Sequence, residues 1–325
     1  MNVVVGVISP AAIWVMPHAY VERLRRDFPQ HTFIDAWDRE TLRRVLPQAD
    51  IAFTPFVDAD IFPSLPRLRW VQSPAVGVGG LMYPEIRASD VTITTARGIR
   101  ARSMAEHVLG VTIALARRFP AAMRAQVAHR WQQDELESAV RTLQGRRLGI
   151  VGLGAIGTEV ARIAAPFGFR VSAIRRHVDR PKPEGVDDVF PPERLLDLLA
   201  TSDVVLIAAP HTSETKQLIG AREVAAMKRG AFLVNVARGR LVDDAAVIDA
   251  LRSGRLGGAA LDVFTHEPLN ADSPYWDLPN VIVTPHVSGA MQDYWTPLVE
   301  LFAENLRRFE RGELLLNVVD KTAGY

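Results

Sequence analysis

Gly149-Ile-Val-Gly152-Leu-Gly154-Ala155-Ile156-Gly157-Thr-Glu-Val-Ala-Arg-Ile-Ala-Ala-Pro-Phe-Gly168 begins as a β-branched strand, turns on glycines and continues with the apolar spacing of a helix. The glycines fall as Gly-x-Gly-x-x-Gly at the turn itself. There the backbone can approach a pyrophosphate closely, and the amides at the helix N-terminus face the anion. Bare, the pattern is weak. Between a strand and a helix it predicts a dinucleotide site at Gly152, Gly154, Ala155, Ile156 and Gly157, against the plainer alternative of a glycine-rich turn that binds nothing.

Outward in both directions the chain alternates in the same way. Val3–Ile8, Thr32–Ala36, Ile51–Thr54, Leu68–Gln72 and Val91–Thr94 read as short strands, with helical stretches opening at Pro17 and over Glu40–Leu46. From Arg100 to Phe119 the apolar residues Met104, Val108, Val111 and Leu115 recur at three- and four-residue steps, which predicts one long connecting helix. Beyond it, Leu148–Val151, Arg170–Ile174, Val204–Ala208, Ala231–Val236, Gly258–Val263 and Val281–Thr284 supply six more strands at helical separations. The expected fold class is α/β, with doubly wound parallel sheets. A last helix, Gln292 to Arg311, is expected to return to the first domain ahead of the tail Leu314–Tyr325. Pro181–Gly185 is a short proline-rich loop, and there is no fixed-period repeat.

The 325 residues suit two domains of about 150 residues each, and a hydrophobic content of 48% fills two cores. With 38 basic and 37 acidic side chains the net charge is +1, so no basic stripe for a phosphate backbone is expected and nucleic acid is excluded as a partner. The absence of cysteine removes disulfides, thiolate metal sites and a cysteine nucleophile. Redox chemistry would therefore need a cofactor. No metal site is expected, and a reducing cytoplasm suits the composition. No apolar run approaches the ~20 residues of a membrane span, and the opening MNVVVGVIS reads as a strand rather than a leader.

An NAD site usually carries Asp or Glu about 20 residues beyond the glycines, at the end of the second strand. Here that strand ends in Arg175-Arg176, with His177 and Arg180 following. Two guanidiniums can grip the 2′-phosphate of NADP through charge-assisted bonds, so NADP is expected in preference to NAD. An exposed arginine pair at a strand end is the plainer alternative.

Three further segments close strands on the side where ligands of open α/β sheets bind: Asn235-Val-Ala-Arg238-Gly239, Leu261-Asp262-Val-Phe-Thr-His-Glu267-Pro268 and Thr284-Pro-His286-Val-Ser-Gly289. A guanidinium can clamp a carboxylate, a histidine titrates near neutrality, and a carboxylate beside it keeps the imidazole oriented. Each has a structural alternative alone: Arg238 bonding its own loop, Glu267 solvated, His286 a satisfied core histidine. Their joint placement after a dinucleotide motif favours chemistry.

GLGAIG, NVARGRLVD, GGAALDVFTHEPL and NVIVTPHVSG resemble the successive signatures of the D-isomer-specific 2-hydroxyacid dehydrogenases, over about Val71 to Glu313. The resemblance implies two Rossmann-like domains with the active site in the cleft between them. Residues 1–99 plus 290–325 would be the flavodoxin-like substrate-binding domain. Residues 100–289 would be the dinucleotide-binding domain, with a dimerisation arm over about 103–131, hence a homodimer. Carried over residue by residue, Arg238 binds the substrate carboxylate and carbonyl oxygen, His286 is the acid/base and Glu267 its partner. Asp262 matches a residue near the nicotinamide carboxamide, Ala209, Pro210, Val236 and Ala237 join the cofactor site, and Ala75, Val76 and Gly77 match the loop that holds the substrate carboxylate. His107, in Ser103-Met-Ala-Glu-His107, is a helix residue of the arm and is not taken as catalytic.

The implied activity is reduction of a 2-keto acid to a D-2-hydroxy acid, and the reverse, of the glyoxylate or hydroxypyruvate reductase kind. The chain departs from the family pattern at Arg175-Arg176, at His211, and at Ala290-Met291-Gln-Asp-Tyr294-Trp295, whose bulky groups either shape a pocket beside His286 or pack. Formate dehydrogenases of the family have glutamine where Glu267 stands, and phosphoglycerate dehydrogenases commonly carry a further domain. The rival from another class is a nucleotide-sensing, corepressor-like protein that keeps the fold.

Overall fold

The computed structural model describes residues 1–9 and 14–324; residues 10–13 and Tyr325, the last residue of the predicted tail, lie outside the described residues. The chain forms two compact units, Met1–Ile99 with Gln292–Tyr325, and Arg100–Met291. Both are built on parallel sheets, as the strand and helix alternation predicts.

The first unit has five strands, β1 (Asn2–Val5), β2 (Thr32–Asp35), β3 (Ile51–Phe53), β4 (Trp70–Gln72) and β5 (Thr92–Thr94), in the order β2-β1-β3-β4-β5. Helices α1 (His18–Asp27), α2 (Arg39–Val45) and α3 (Pro84–Ala88) connect them. Pro17 stands at the N-cap of α1 rather than inside it, while Asp38 caps α2 by accepting from the Thr41 amide at 2.7 Å. Past the C-terminal helix, the tail covers the edge of β5, where the Val319 amide donates to the Ile93 carbonyl.

The second unit has seven strands: β6 (Arg147–Val151), β7 (Arg170–Ile174), β8 (Asp188–Phe190), β9 (Val204–Ile207), β10 (Ala231–Asn235), β11 (Leu256–Leu261) and β12 (Val281–Val283). Their order is β12-β11-β10-β9-β6-β7-β8. Six were expected; β8 is the addition, an edge strand of three residues too short to show a period, paired to β7 from Ser172↔Asp188 to Ile174↔Phe190. Central β9 and β10 are buried along their whole length, which is why they read as continuous apolar runs.

The expected single helix from Arg100 to Phe119 is two helices, α4 (Ala101–Ala116) and α5 (Phe119–Val127). Pro120 explains the break. In a continuous helix its ring would meet the carbonyl of Ala116, and that is where α4 stops. Arg118 turns the chain in the left-handed region at φ 60°. The remaining helices are α6 (Gln133–Glu137), α7 (Ala155–Ala164), α8 (Leu195–Thr201), α9 (Ala221–Ala226) and α10 (Asp244–Arg252), with α11 (Trp295–Glu310) completing the first unit. On α11, Phe302 stacks on Phe53 and Trp70 at centroid distances of 4.5 and 5.2 Å. Truncating such a buried ring to alanine costs about 3–5 kcal/mol. No helix among the described residues is long and apolar enough to cross a membrane.

Candidate active site

β6 lies between β7 and β9, so successive connections leave it in opposite directions and a crevice opens at its C-terminal end. Gly152 lies there at φ 104°, and a Cβ on it would come within 2.6 Å of the backbone of Ala209 at the end of β9. Only glycine permits that approach. At Gly154 a Cβ would meet no protein atom within 4 Å. Gly154 is the N-cap of α7, with no side-chain cap and no acid in the first turn. The Ala155, Ile156 and Gly157 amides are the helix donors that find no partner within α7. The cradle therefore fits a dinucleotide pyrophosphate. Ala209, Val236 and Ala237 are buried at neighbouring strand ends and offer backbone there, while Pro210 is exposed.

At the end of β7 the two arginines differ. Arg175 donates to the carbonyls of Arg180 and Pro181 and so shapes the loop that follows the strand. Arg176 is exposed and pairs with Glu214 at 2.5 Å. No carboxylate occupies either position.

After β10, Asn235 is fully buried and clamps the turn: its amide donates to the Arg238 carbonyl at 3.0 Å, and its oxygen accepts from the Ala237 amide at 3.0 Å. Arg238 is exposed and donates to the Ala237 carbonyl at 2.6 Å. A Cβ at Gly239 would fall 1.9 Å from the backbone of Phe264, so a glycine there is what lets the Arg238 turn close onto the Glu267 loop.

Glu267 is held at both oxygens. Oε1 accepts from the Phe264 amide at 2.9 Å, and Oε2 lies 2.7 Å from Nδ1 of His286. The imidazole thus spends Nδ1 on the carboxylate and keeps Nε2 for another partner. Its side chain is 51% exposed, and that of Glu267 36%.

His286 itself sits at φ 55°. A left-handed histidine persists where its surroundings hold it, and Asp262 does so. The Asp262 carbonyl accepts from the His286 amide at 2.9 Å, and its buried carboxylate accepts from the Val287 and Ser288 amides, each at 2.9 Å, and from the Thr284 hydroxyl at 2.6 Å. Below Thr284, Nε2 of His107 on α4 lies 3.5 Å from the same hydroxyl. Burial lowers the imidazole of His107 below its ordinary range, opposed by the charge of Asp262. Asp262, which the resemblance places near the nicotinamide, thus also holds the histidine turn through its side chain.

In the first unit, the loop after β4 presents Val76 and Gly77 exposed, with no hydrogen bond to either amide among the described residues. The Ala75 amide differs, donating to Ser73 Oγ at 3.1 Å. Tyr294 is buried and Trp295 half-buried in the core of this unit, so both pack, while Met291 is exposed. His211 is exposed, and nothing in the structure explains it.

Residues 109–288 match the family model described as D-isomer specific 2-hydroxyacid dehydrogenase, NAD binding domain. The chain belongs to that family. It is accordingly an oxidoreductase of the 2-hydroxyacid dehydrogenase kind. It is 37% identical over 270 residues to a glyoxylate reductase of Korarchaeum cryptofilum, covering 82% of this chain and 80% of the relative. Among solved structures it resembles a family member from Xanthobacter autotrophicus in complex with NADPH, with a TM-score of 0.85, 33% identity and coverage of 100% and 99% of the two chains. It also resembles an NADPH-dependent glyoxylate/hydroxypyruvate reductase from Sinorhizobium meliloti in complex with NADP, with a TM-score of 0.84, 30% identity and full coverage of both chains.

Proposed function

We propose that this oxidoreductase reduces a small 2-keto acid to the D-2-hydroxy acid, and runs the reverse reaction, with NADP preferred over NAD. The observation that carries the reading is the fixed pair Glu267–His286, 2.7 Å apart, in the same unit as the Arg238 turn and the glycine cradle. The glyoxylate and hydroxypyruvate reductases it resembles support a substrate of that size.

The fit of the cofactor rests on the open space over Gly154 and the uncapped start of α7. Ala155, Ile156 and Gly157 would hold the pyrophosphate, and Arg176, with Arg175 shaping its loop, would take the 2′-phosphate. Bound there, a reduced nicotinamide would supply the hydride for reduction of the keto acid. Arg238 orients the substrate carboxylate and favours the negative charge that grows on the carbonyl oxygen. His286 gives that oxygen a proton from Nε2, and Glu267 holds the ring by Nδ1 while it does so. In oxidation neutral His286 accepts the hydroxyl proton. The free amides of Val76 and Gly77 are proposed to bind the substrate carboxylate, and Asp262 to serve the site through the histidine turn. The named relatives above are enzymes, and no observation favours the corepressor-like reading.

We also propose a homodimer. Phe119, Met123, Val127 and Trp131 stand at four-residue intervals and are 50, 65, 83 and 91% exposed, a row of apolar side chains of the kind that marks an interface. A reducing cytoplasm is the proposed compartment. The activity is tested by following NADPH and NADH consumption in parallel with glyoxylate, hydroxypyruvate and bulkier 2-keto acids. Turnover with at least one, faster with NADPH, is expected; no turnover with any of them would refute the reading.

A further inference from the structure

The segment that leads from β4 into the Val76–Gly77 loop is pinned atom by atom. The Ser73 carbonyl accepts from the Gln72 side chain at 2.9 Å, the Ala75 amide donates to Ser73 Oγ, and the Ala75 carbonyl accepts from the Ala96 amide at 3.1 Å. A further group of this run, the Pro74 carbonyl, accepts from the hydroxyl of Tyr294. Tyr294 immediately precedes α11, 220 residues away in sequence. It is 5% exposed, and its ring meets Trp14 and Trp295 edge-on at 5.7 and 5.3 Å. Among these contacts it is the one side chain that is not adjacent to the segment in sequence. Two residues further on, the Val76 and Gly77 amides have no hydrogen bond among the described residues and face solvent.

A fixed base followed at once by unspent donors is the arrangement that aims backbone amides at an anion without ordering them on binding. We propose that Tyr294 is a positioning residue for substrate: through the Pro74 carbonyl it sets the direction of the Val76 and Gly77 amides and so the affinity for the keto-acid carboxylate. This rests on the reading of that loop given above. Tyr294 touches no reacting atom, so the hydroxyl contributes to substrate binding and leaves the proton transfer to His286.

Tyr294→Phe keeps the ring and removes the hydroxyl that donates to the Pro74 carbonyl. The net worth of such a bond, about 0.5–1.5 kcal/mol, corresponds to roughly 3- to 10-fold in affinity. KM for glyoxylate should rise by that factor, with kcat and KM for NADPH within twofold of wild type. The parallel measurement is the movement of the Val76 and Gly77 amide resonances as oxamate, a non-reducible isostere of a 2-keto acid, is titrated into NADPH-loaded protein. In wild type both should move, and in Tyr294→Phe they should move only at several-fold higher oxamate. If they stay in place in wild type, the loop reading itself fails. If they move in wild type and respond identically in Tyr294→Phe, with KM unchanged, the loop reading survives and the role of Tyr294 is overturned.

Discussion

Glu267 grips His286 through one carboxylate oxygen, 2.7 Å from Nδ1, while the Phe264 amide fixes the other at 2.9 Å. The carboxylate cannot rotate away without giving up both bonds. An imidazole gripped at Nδ1 presents Nε2 in one orientation, as the proposed proton donation to a keto acid requires. Glu267→Gln keeps the shape and removes the charge. With NADPH saturating, kcat for reduction should therefore fall by about tenfold or more, as for loss of a hydrogen bond to a charged group. A kcat within twofold of wild type would show that the carboxylate is not needed to hold His286.

Cofactor choice should turn on Arg176 and its present partner. Glu214, 2.5 Å away, would compete with the proposed 2′-phosphate for the same guanidinium. Arg176→Ser should raise KM for NADPH by about tenfold or more, in line with loss of a charge-assisted bond, and leave KM for NADH nearly unchanged. Glu214→Gln should lower KM for NADPH alone. Equal responses of the two cofactors to both substitutions would contradict the assignment.

Much of this was legible in the sequence, and the gaps have physical reasons. The strands are short runs rich in β-branched and apolar residues, so ten of the eleven expected lie close to their predicted bounds; Val3–Ile8 is the exception, shortened to Asn2–Val5. A three-residue edge strand carries no period, and β8 escaped. The helix break at Pro120 was legible and went unread, because the apolar spacing of α4 runs on into Phe119. Arg238, Glu267 and His286 stood out as chemistry-bearing types at strand ends. Asn235 and Thr284 carry no chemical signal in the sequence, since their side chains bond to backbone and buried groups that only the folded turns bring near. The division of labour between Arg175 and Arg176 likewise depends on loop carbonyls and on Glu214, 38 residues from Arg176.

His107 supplies a pH signature of stability. Burial lowers its folded-state value, so below the unfolded value of about 6.5 the unfolded chain binds more protons. The stability present above that pH is lost as the pH falls through the folded value. His107→Gln, neutral throughout, should lose less in Tm than wild type between pH 7 and pH 5. Parallel curves would show that His107 does not contribute.

The apolar row on α5 predicts association. Wild type should scatter as about twice 35.9 kDa, and Met123→Asp with Val127→Asp should approach 35.9 kDa. A wild-type monomer at micromolar concentration would reject the dimer.

The most direct test of the site is turnover of glyoxylate by His286→Ala beside wild type, with NADPH affinity measured on the same samples. General acid–base groups typically contribute ~10²–10⁴-fold. A fall in kcat of that size, with Kd for NADPH within twofold of wild type, is the predicted result. A variant that turns over within threefold of wild type would contradict the assignment of His286 as the proton donor.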